Sequence, residues 1–209
     1  MNPLDAHDIV TTLGTIGVLT ALFIETGLLV GLFLPGDSLL FVAGLAASGT
    51  AREIFGDQLS FVQLIIWAPI FATMGSQFGH WLGAKFGRPF FDRPDSRFFN
   101  QERVQQTEKW LTKYGLGKAL ILSHFIPFVR TLLNPLCGII GIPAKKFFIW
   151  NLIGSYIWTV GILSAGFLLG ERLQESVDDY LLPIVALIVA ASLMPILNEL
   201  LREKVRRRD

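Results

Sequence analysis

Residues 118–146 read KALILSHFIPFVRTLLNPLCGIIGIPAKK. Residues 119–144 lie between Lys118 and the Lys145–Lys146 pair, and His124 and Arg130 are the only basic groups in that interval. The interval is long enough to cross a bilayer once, because a membrane helix needs about 20 mainly apolar residues. Lysine and arginine mark the cytoplasmic side of a membrane protein, however, and here they stand at both ends. The segment is therefore predicted to enter and return on one side, as a re-entrant hairpin. Pro127 and Pro135 are expected to break its helical hydrogen bonding near the middle. Such irregular backbone persists at membrane depth only when it is buried in protein or lines a cavity.

Composition agrees with a membrane setting. The 209-residue chain is 52% hydrophobic and 17% charged, with a mean hydropathy of +0.52, whereas a soluble domain carries about 25% charged residues. The formal net charge of +1 says little as a total, because orientation depends on where the basic residues lie. The N-terminus MNPLDAHDIV has two aspartates and no lysine or arginine, so it lacks the basic region of a cleavable signal and is expected to be mature from Met1. Asp5, His7 and Asp8 give no signal for the side on which the N-terminus lies.

Working outward, the same grammar recurs upstream. Residues 22–48 form a second apolar stretch, interrupted by FLPGDSLLF at 33–41, where Pro35 and Gly36 are expected to break the helix. Each interrupted stretch precedes an apolar run, 61–87 or 147–170, and a last run covers 181–198. The connection 88–118 holds Arg88, Arg93, Arg97, Arg103, Lys109, Lys113 and Lys118, and the tail holds Arg202, Lys204, Arg206, Arg207 and Arg208; both are predicted to be cytoplasmic. The loops 49–60 and 171–180 carry one arginine each, Arg52 and Arg172, and are predicted to face outside.

The fold class that follows is an all-α, multi-pass membrane protein. It is an inverted repeat of two re-entrant hairpins, each followed by a glycine-rich transmembrane helix; paired interrupted segments of this kind mark a transporter's binding site. The expected divisions are an N-terminal helix at 1–20, a membrane domain at 21–170 and a final span with its basic tail at 171–209. Within 88–118, Asn100 can cap a helix whose Val104, Trp110, Leu111 and Tyr114 share a face, as in a helix lying at the membrane surface.

Gly75, Gly79, Gly83 and Gly87 recur every four residues and form a stripe on which a neighbouring backbone can pack closely. Gly154, Gly161, Gly166 and Gly170 do so less regularly. Tryptophan favours interfaces, which accounts for Trp67, Trp81, Trp110, Trp150 and Trp158. Cys137, the single cysteine, reads as a small buried thiol. No HExxH or GxSxG stands in the chain, and the crossing helices lack a continuous polar lining; enzyme and channel are therefore disfavoured, and neither metal nor cofactor is expected.

Glu25, Asp37, His124 and Arg130 demand more. A charge at the centre of a membrane helix costs about 2.5 to 3.5 kcal/mol, so such groups need partners or water. A bland reading places the hairpin turns at the interface, with Asp37 capping the helix after Pro35 and Arg130 snorkelling. The sharper reading has the hairpins meeting at their tips, so that acids of one face bases of the other.

Three stretches carry a family resemblance: FIETGLLVGLFLPGDSLLFVAGLAASG, GSQFGHWLGAKFGRPFF and HFIPFVRTLLNPLCGIIGIPAKKFFIWNLIGSYIW. They resemble the DedA family of bacterial membrane proteins, whose VTT domain is shared with eukaryotic lipid scramblases. The likeness spans about residues 20 to 170, with the FIE glutamate, the PGD turn, FIPxxR and FxxxNxxGxxxW in the family's order. It implies a protein of the bacterial inner membrane that moves lipids between leaflets, undecaprenyl phosphate foremost or phosphatidylethanolamine, often with the proton-motive force.

On that resemblance Glu25 and Asp37 match functional acids and Arg130 matches a functional arginine; the chemistry of these side chains then leads us to expect Arg130 to bind the lipid phosphate and the two acids to exchange protons. The chain departs from the family pattern at His124 and Ala84, where arginine is usual, at Ser76, where aspartate is usual, and at His80, where tyrosine is usual. His124 would assist Arg130 only when protonated, since an imidazole titrates near pH 6.5. The implied partners are a membrane lipid with a phosphate head group and protons, with no nucleic acid and with a homodimer as the candidate assembly. The alternative is a membrane-stress sensor or assembly factor without transport activity.

Overall fold

A computed structural model of the chain describes residues 6–29, 34, 36–49, 59–91 and 101–172. Every regular element among the described residues is a helix: α1 (Ala6–Gly27), α2 (Gly36–Ala46), α3 (Phe61–Phe91), α4 (Gln101–Tyr114), α5 (Leu116–Ser123), α6 (Pro127–Ile139) and α7 (Ala144–Arg172). Pro35, most of the loop 49–60, the span 181–198 and the basic tail lie outside the described residues.

Among the described residues, two helices are long and apolar enough to cross a bilayer: the Phe61–Gly87 part of α3 and α7. At 1.5 Å per residue, 27 residues extend about 40 Å, against a hydrocarbon core of about 30 Å. Their surfaces are arranged as lipid requires. Val62, Ile66, Ile70 and Met74 of α3 and Ile149, Ile153 and Ile157 of α7 are exposed, while Thr73, Ser76, His80, Asn151, Ser155 and Thr159 are buried. Water would favour the reverse; a protein surrounded by hydrocarbon keeps its polar groups inside.

The described residues group into two compact units, one drawing on α2, α3 through Leu64 and α7 from Ile162, the other on Leu19 onward in α1 and on Ile65 through Gly161. In the first, α2 lies backbone to backbone on α7. A Cβ at Gly44 would overlap the Leu163 carbonyl, and one at Gly166 would overlap the Phe41 carbonyl. The Phe61 and Phe167 rings stack 4.0 Å apart, and the Gly49 N–H donates to Glu171 Oε1 at 2.8 Å.

In the second unit the glycine stripe of α3 is the seat for two other helices. A Cβ at Gly75 would strike Thr26 and the Phe23 carbonyl of α1; one at Gly83 would strike the Pro135 carbonyl of α6, and one at Gly87 the Ile139 side chain. Gly79 lies between, where an added Cβ would come 3.0 Å from the Gly27 carbonyl and 3.4 Å from Asn134 Cβ. Helices α4, α5 and α6 pack together around buried Leu120, Leu133, Cys137 and Phe147, with Leu111 and Leu116 against that cluster. On α4, Thr107 is buried and Trp110, Leu111 and Tyr114 are half-buried, whereas Glu108, Lys109, Thr112 and Lys113 are outside.

Several boundaries differ from the sequence reading. No helix ends near residue 20. α1 continues to Gly27, and its one irregularity is Gly14, at φ 56° and ψ −145°, a conformation that glycine enters without a Cβ clash. The stretch 119–144, expected to break at both prolines, is interrupted at Pro127 and not at Pro135. After α5 the chain tightens into i→i−3 bonds from the 124, 125 and 126 amides. Ile126 is extended at φ −121° and ψ 99°, as a residue before proline prefers, and Pro127 begins α6 at N1. Pro135 lies inside α6. A proline there forfeits one backbone bond, and packing of its own carbonyl on Gly83 carries the helix through. The actual stop is Gly141, at φ 79°, where the Ile142 amide reaches back to Cys137 O at 3.0 Å in a Schellman-type closure.

Candidate functional site

The last turn of α1 and the first turn of α6 bring Glu25 and Arg130 together. Both are buried, at 3% and 1% exposure, and Arg130 Nη2 forms a salt bridge with Glu25 Oε1. Arg130 Nη1 donates to the His124 carbonyl at 3.1 Å. The guanidinium carbon lies 3.9 Å from the centroid of the Trp158 ring. Thus a carboxylate, a carbonyl from the helix break and an aromatic face all meet one cation. A buried cation without compensation would be costly, and removing either member of such a pair typically costs about 3 to 5 kcal/mol.

Supporting bonds fix the two elements that carry the pair. Asn134, one turn beyond Arg130, donates through Nδ2 to Thr26 O at 2.9 Å, satisfying a carbonyl at the end of α1 that lacks a helical partner. Thr26 Oγ1 contacts Ala72 O of α3 at 3.0 Å. The residues flanking each charge are thereby tied to neighbouring backbone.

His124 has a different placement from the head-group contact expected of it. Its Nδ1 lies 2.8 Å from Leu120 O, and a carbonyl only accepts, so Nδ1 carries a proton. Nε2 lies 3.1 Å from Ser155 Oγ. Both ring nitrogens are thus occupied within the protein, and the residue meets Arg130 through its carbonyl. His80 is likewise held, with Nε2 at 2.9 Å from Ile142 O and its ring stacked 4.6 Å from Phe147. Ser76 is fully buried on α3, and its hydroxyl has no hydrogen-bond partner among the described residues; Ala84 is exposed.

Asp37 lies in the first turn of α2, where a carboxylate is favoured by the helix dipole, and Gly36 begins that helix. Asp37 belongs to the other compact unit. No group of three or more His, Cys, Asp or Glu side chains among the described residues can hold a metal ion.

Trp158, the last residue of the FxxxNxxGxxxW segment, differs from the interfacial placement expected of it: it is 1% exposed and covers Arg130. Its spacing was a usable signal: Phe147, Asn151, Gly154 and Trp158 form one stripe of α7 at steps of four, three and four. Phe147 stacks on His80, Asn151 Nδ2 donates to Thr73 O at 3.3 Å, Gly154 lies against the His124 ring and Trp158 faces Arg130.

Comparison with known proteins extends this picture. The VTT domain matches residues 34–168. The protein DedA of Escherichia coli K12 is 34% identical over 183 residues, covering 88% of this chain and 80% of that protein. An uncharacterised membrane protein of Mycobacterium tuberculosis H37Rv is 33% identical over 194 residues, with 92% and 81% coverage. The inner membrane protein YghB of E. coli K12 is 29% identical over 201 residues, with 88% and 82% coverage. No solved structure matches.

Proposed function

This chain is a membrane protein of the DedA family, the VTT-domain proteins, and from that premise we propose that it moves a phosphate-bearing lipid between leaflets in exchange with protons. The supporting observation is the buried Glu25–Arg130 pair beside a helix break. A guanidinium is a planar fork suited to phosphate, and a carboxylate that already occupies it is a natural competitor for the same donors. Protonation of Glu25 weakens that competition and lets the anionic head group take Arg130; ionisation restores the pair and expels it. Asp37 serves as a second proton site. His124 supports Arg130 from its backbone carbonyl, a smaller part than direct phosphate contact.

The membrane architecture belongs to the same proposal. The two broken stretches act as re-entrant hairpins of an inverted repeat, α4 lies at the cytoplasmic surface, and the basic tail is cytoplasmic in a bacterial inner membrane. The lipid tails stay in the bilayer while the head group passes the charged site. Undecaprenyl phosphate is the preferred substrate. The protein is not an enzyme, and its working unit is a monomer or homodimer.

The deciding experiment follows leaflet accessibility of fluorescent undecaprenyl phosphate and phosphatidylethanolamine in proteoliposomes, with and without a pH gradient. Native protein should move undecaprenyl phosphate faster under a gradient. Folded, inserted Glu25→Gln and Arg130→Ala variants should lose that movement. No movement of either lipid by native protein under any gradient defeats the transport reading for these lipids and leaves sensing or assembly in its place.

A further inference from the structure

Glu25 cannot be what keeps Arg130 in place throughout a cycle in which Glu25 gives it up. Other contacts must hold the guanidinium while the carboxylate is protonated, or head-group binding would have to order a loose side chain first; the His124 carbonyl, which accepts from Nη1, fixes one donor but not the plane of the group. The indole of Trp158 has the required placement, with its centroid 3.9 Å from the guanidinium carbon. It is fully packed, at 1% exposure, on a helix face whose other members are engaged by His80, Thr73 and His124. Attraction between a cation and an aromatic face depends on the ring quadrupole and not on the protonation of a carboxylate.

We infer that Trp158 is a positioning residue, the seat on which the Arg130 guanidinium remains when Glu25 releases it. The indole covers one face of the guanidinium and leaves recognition of phosphate oxygens to its edge, where the donors point. This inference rests on the transport reading for the identity of the anion, but the seat itself is a property of the protein without ligand.

Two measurements separate the seat from the substrate. The first is NMR of arginine side chains in native protein and Glu25→Gln, without lipid, with the Arg130 signal identified by its loss in Arg130→Lys. The guanidinium protons should be shifted upfield by the indole ring current in both proteins. Disappearance of that shift in folded Glu25→Gln would show that the salt bridge holds the arginine and would overturn the proposal.

The second replaces Trp158 alone with tryptophans carrying one, two or three fluorines, which weaken the quadrupole with little change of volume. Undecaprenyl phosphate binding in nanodiscs should weaken progressively, by up to about 10-fold, because a loosened guanidinium must then be ordered on binding. Flat affinity across the series, with loss only in Trp158→Leu, would reduce Trp158 to packing and overturn the proposal. If native protein binds no undecaprenyl phosphate while the ring-current shift persists, the seat stands and the transport reading falls.

Discussion

At the residue scale, Arg130 is a demanding group, because its cation is buried with Glu25, a carbonyl and an indole as partners. Arg130→Ala is expected to lower unfolding stability by about 3 to 5 kcal/mol, since it removes one member of a buried ion pair. Arg130→Met with Glu25→Gln should recover much of that loss, as denaturation in a mild detergent would measure; equal loss in the double variant would mean that the two side chains do not act as a pair. The pair was legible in the sequence because a charge in an apolar run must find a partner. His124 was legible as a polar residue but not in its role, since nothing local tells whether an imidazole serves a ligand or bonds Leu120 O. Trp158 was obscured by a commoner use of tryptophan at interfaces.

At the scale of the element, the glycines of α3 and α7 divide by what they touch. Gly83→Ala drives a Cβ into the Pro135 carbonyl, whereas nothing lies within 4 Å of a Cβ at Gly161. Thermal unfolding should therefore separate two chemically identical changes. Gly83→Ala is expected to destabilise by about 1 to 3 kcal/mol through overpacking, and Gly161→Ala to be neutral or stabilising by up to about 1 kcal/mol through helix propensity. Similar effects at both sites would contradict the packing described. Gly141→Ala should cost about 1 to 2 kcal/mol, because φ of 79° is unfavourable for a residue with a Cβ. The four-residue period of the α3 stripe is visible in sequence, but its occupants, α1 and α6, are not. Pro135 shows the converse limit: a proline announces a lost donor, while only packing decides whether the helix stops there.

At the scale of the whole molecule, the all-helical class and the membrane setting were readable from hydropathy and charge placement, because lipid constrains composition strongly. Helix ends were less readable, since α1 runs past the expected division near residue 20. Cys137 gives a simple check of the packed interior, being buried in the cluster with Leu120 and Phe147. Native protein in vesicles should resist a maleimide and react fully after denaturation; ready labelling of the native form would refute that burial. The orientation proposed above predicts that a cysteine at Arg207, in a Cys137→Ala background, is reached by an impermeant reagent only in inside-out vesicles. The glycine stripe also bears on speed. Because the last turns of α1 and the second half of α6 rest on α3 at backbone distance, neither contact can open without leaving a void. Exchange at the ion pair therefore falls to torsions of the Glu25 and Arg130 side chains, movements much quicker than the microsecond-to-millisecond rocking of whole bundles. On the proposed transport role, the slow step of a full cycle lies with the lipid's passage, and membrane fluidity, more than protein rearrangement, would set the pace.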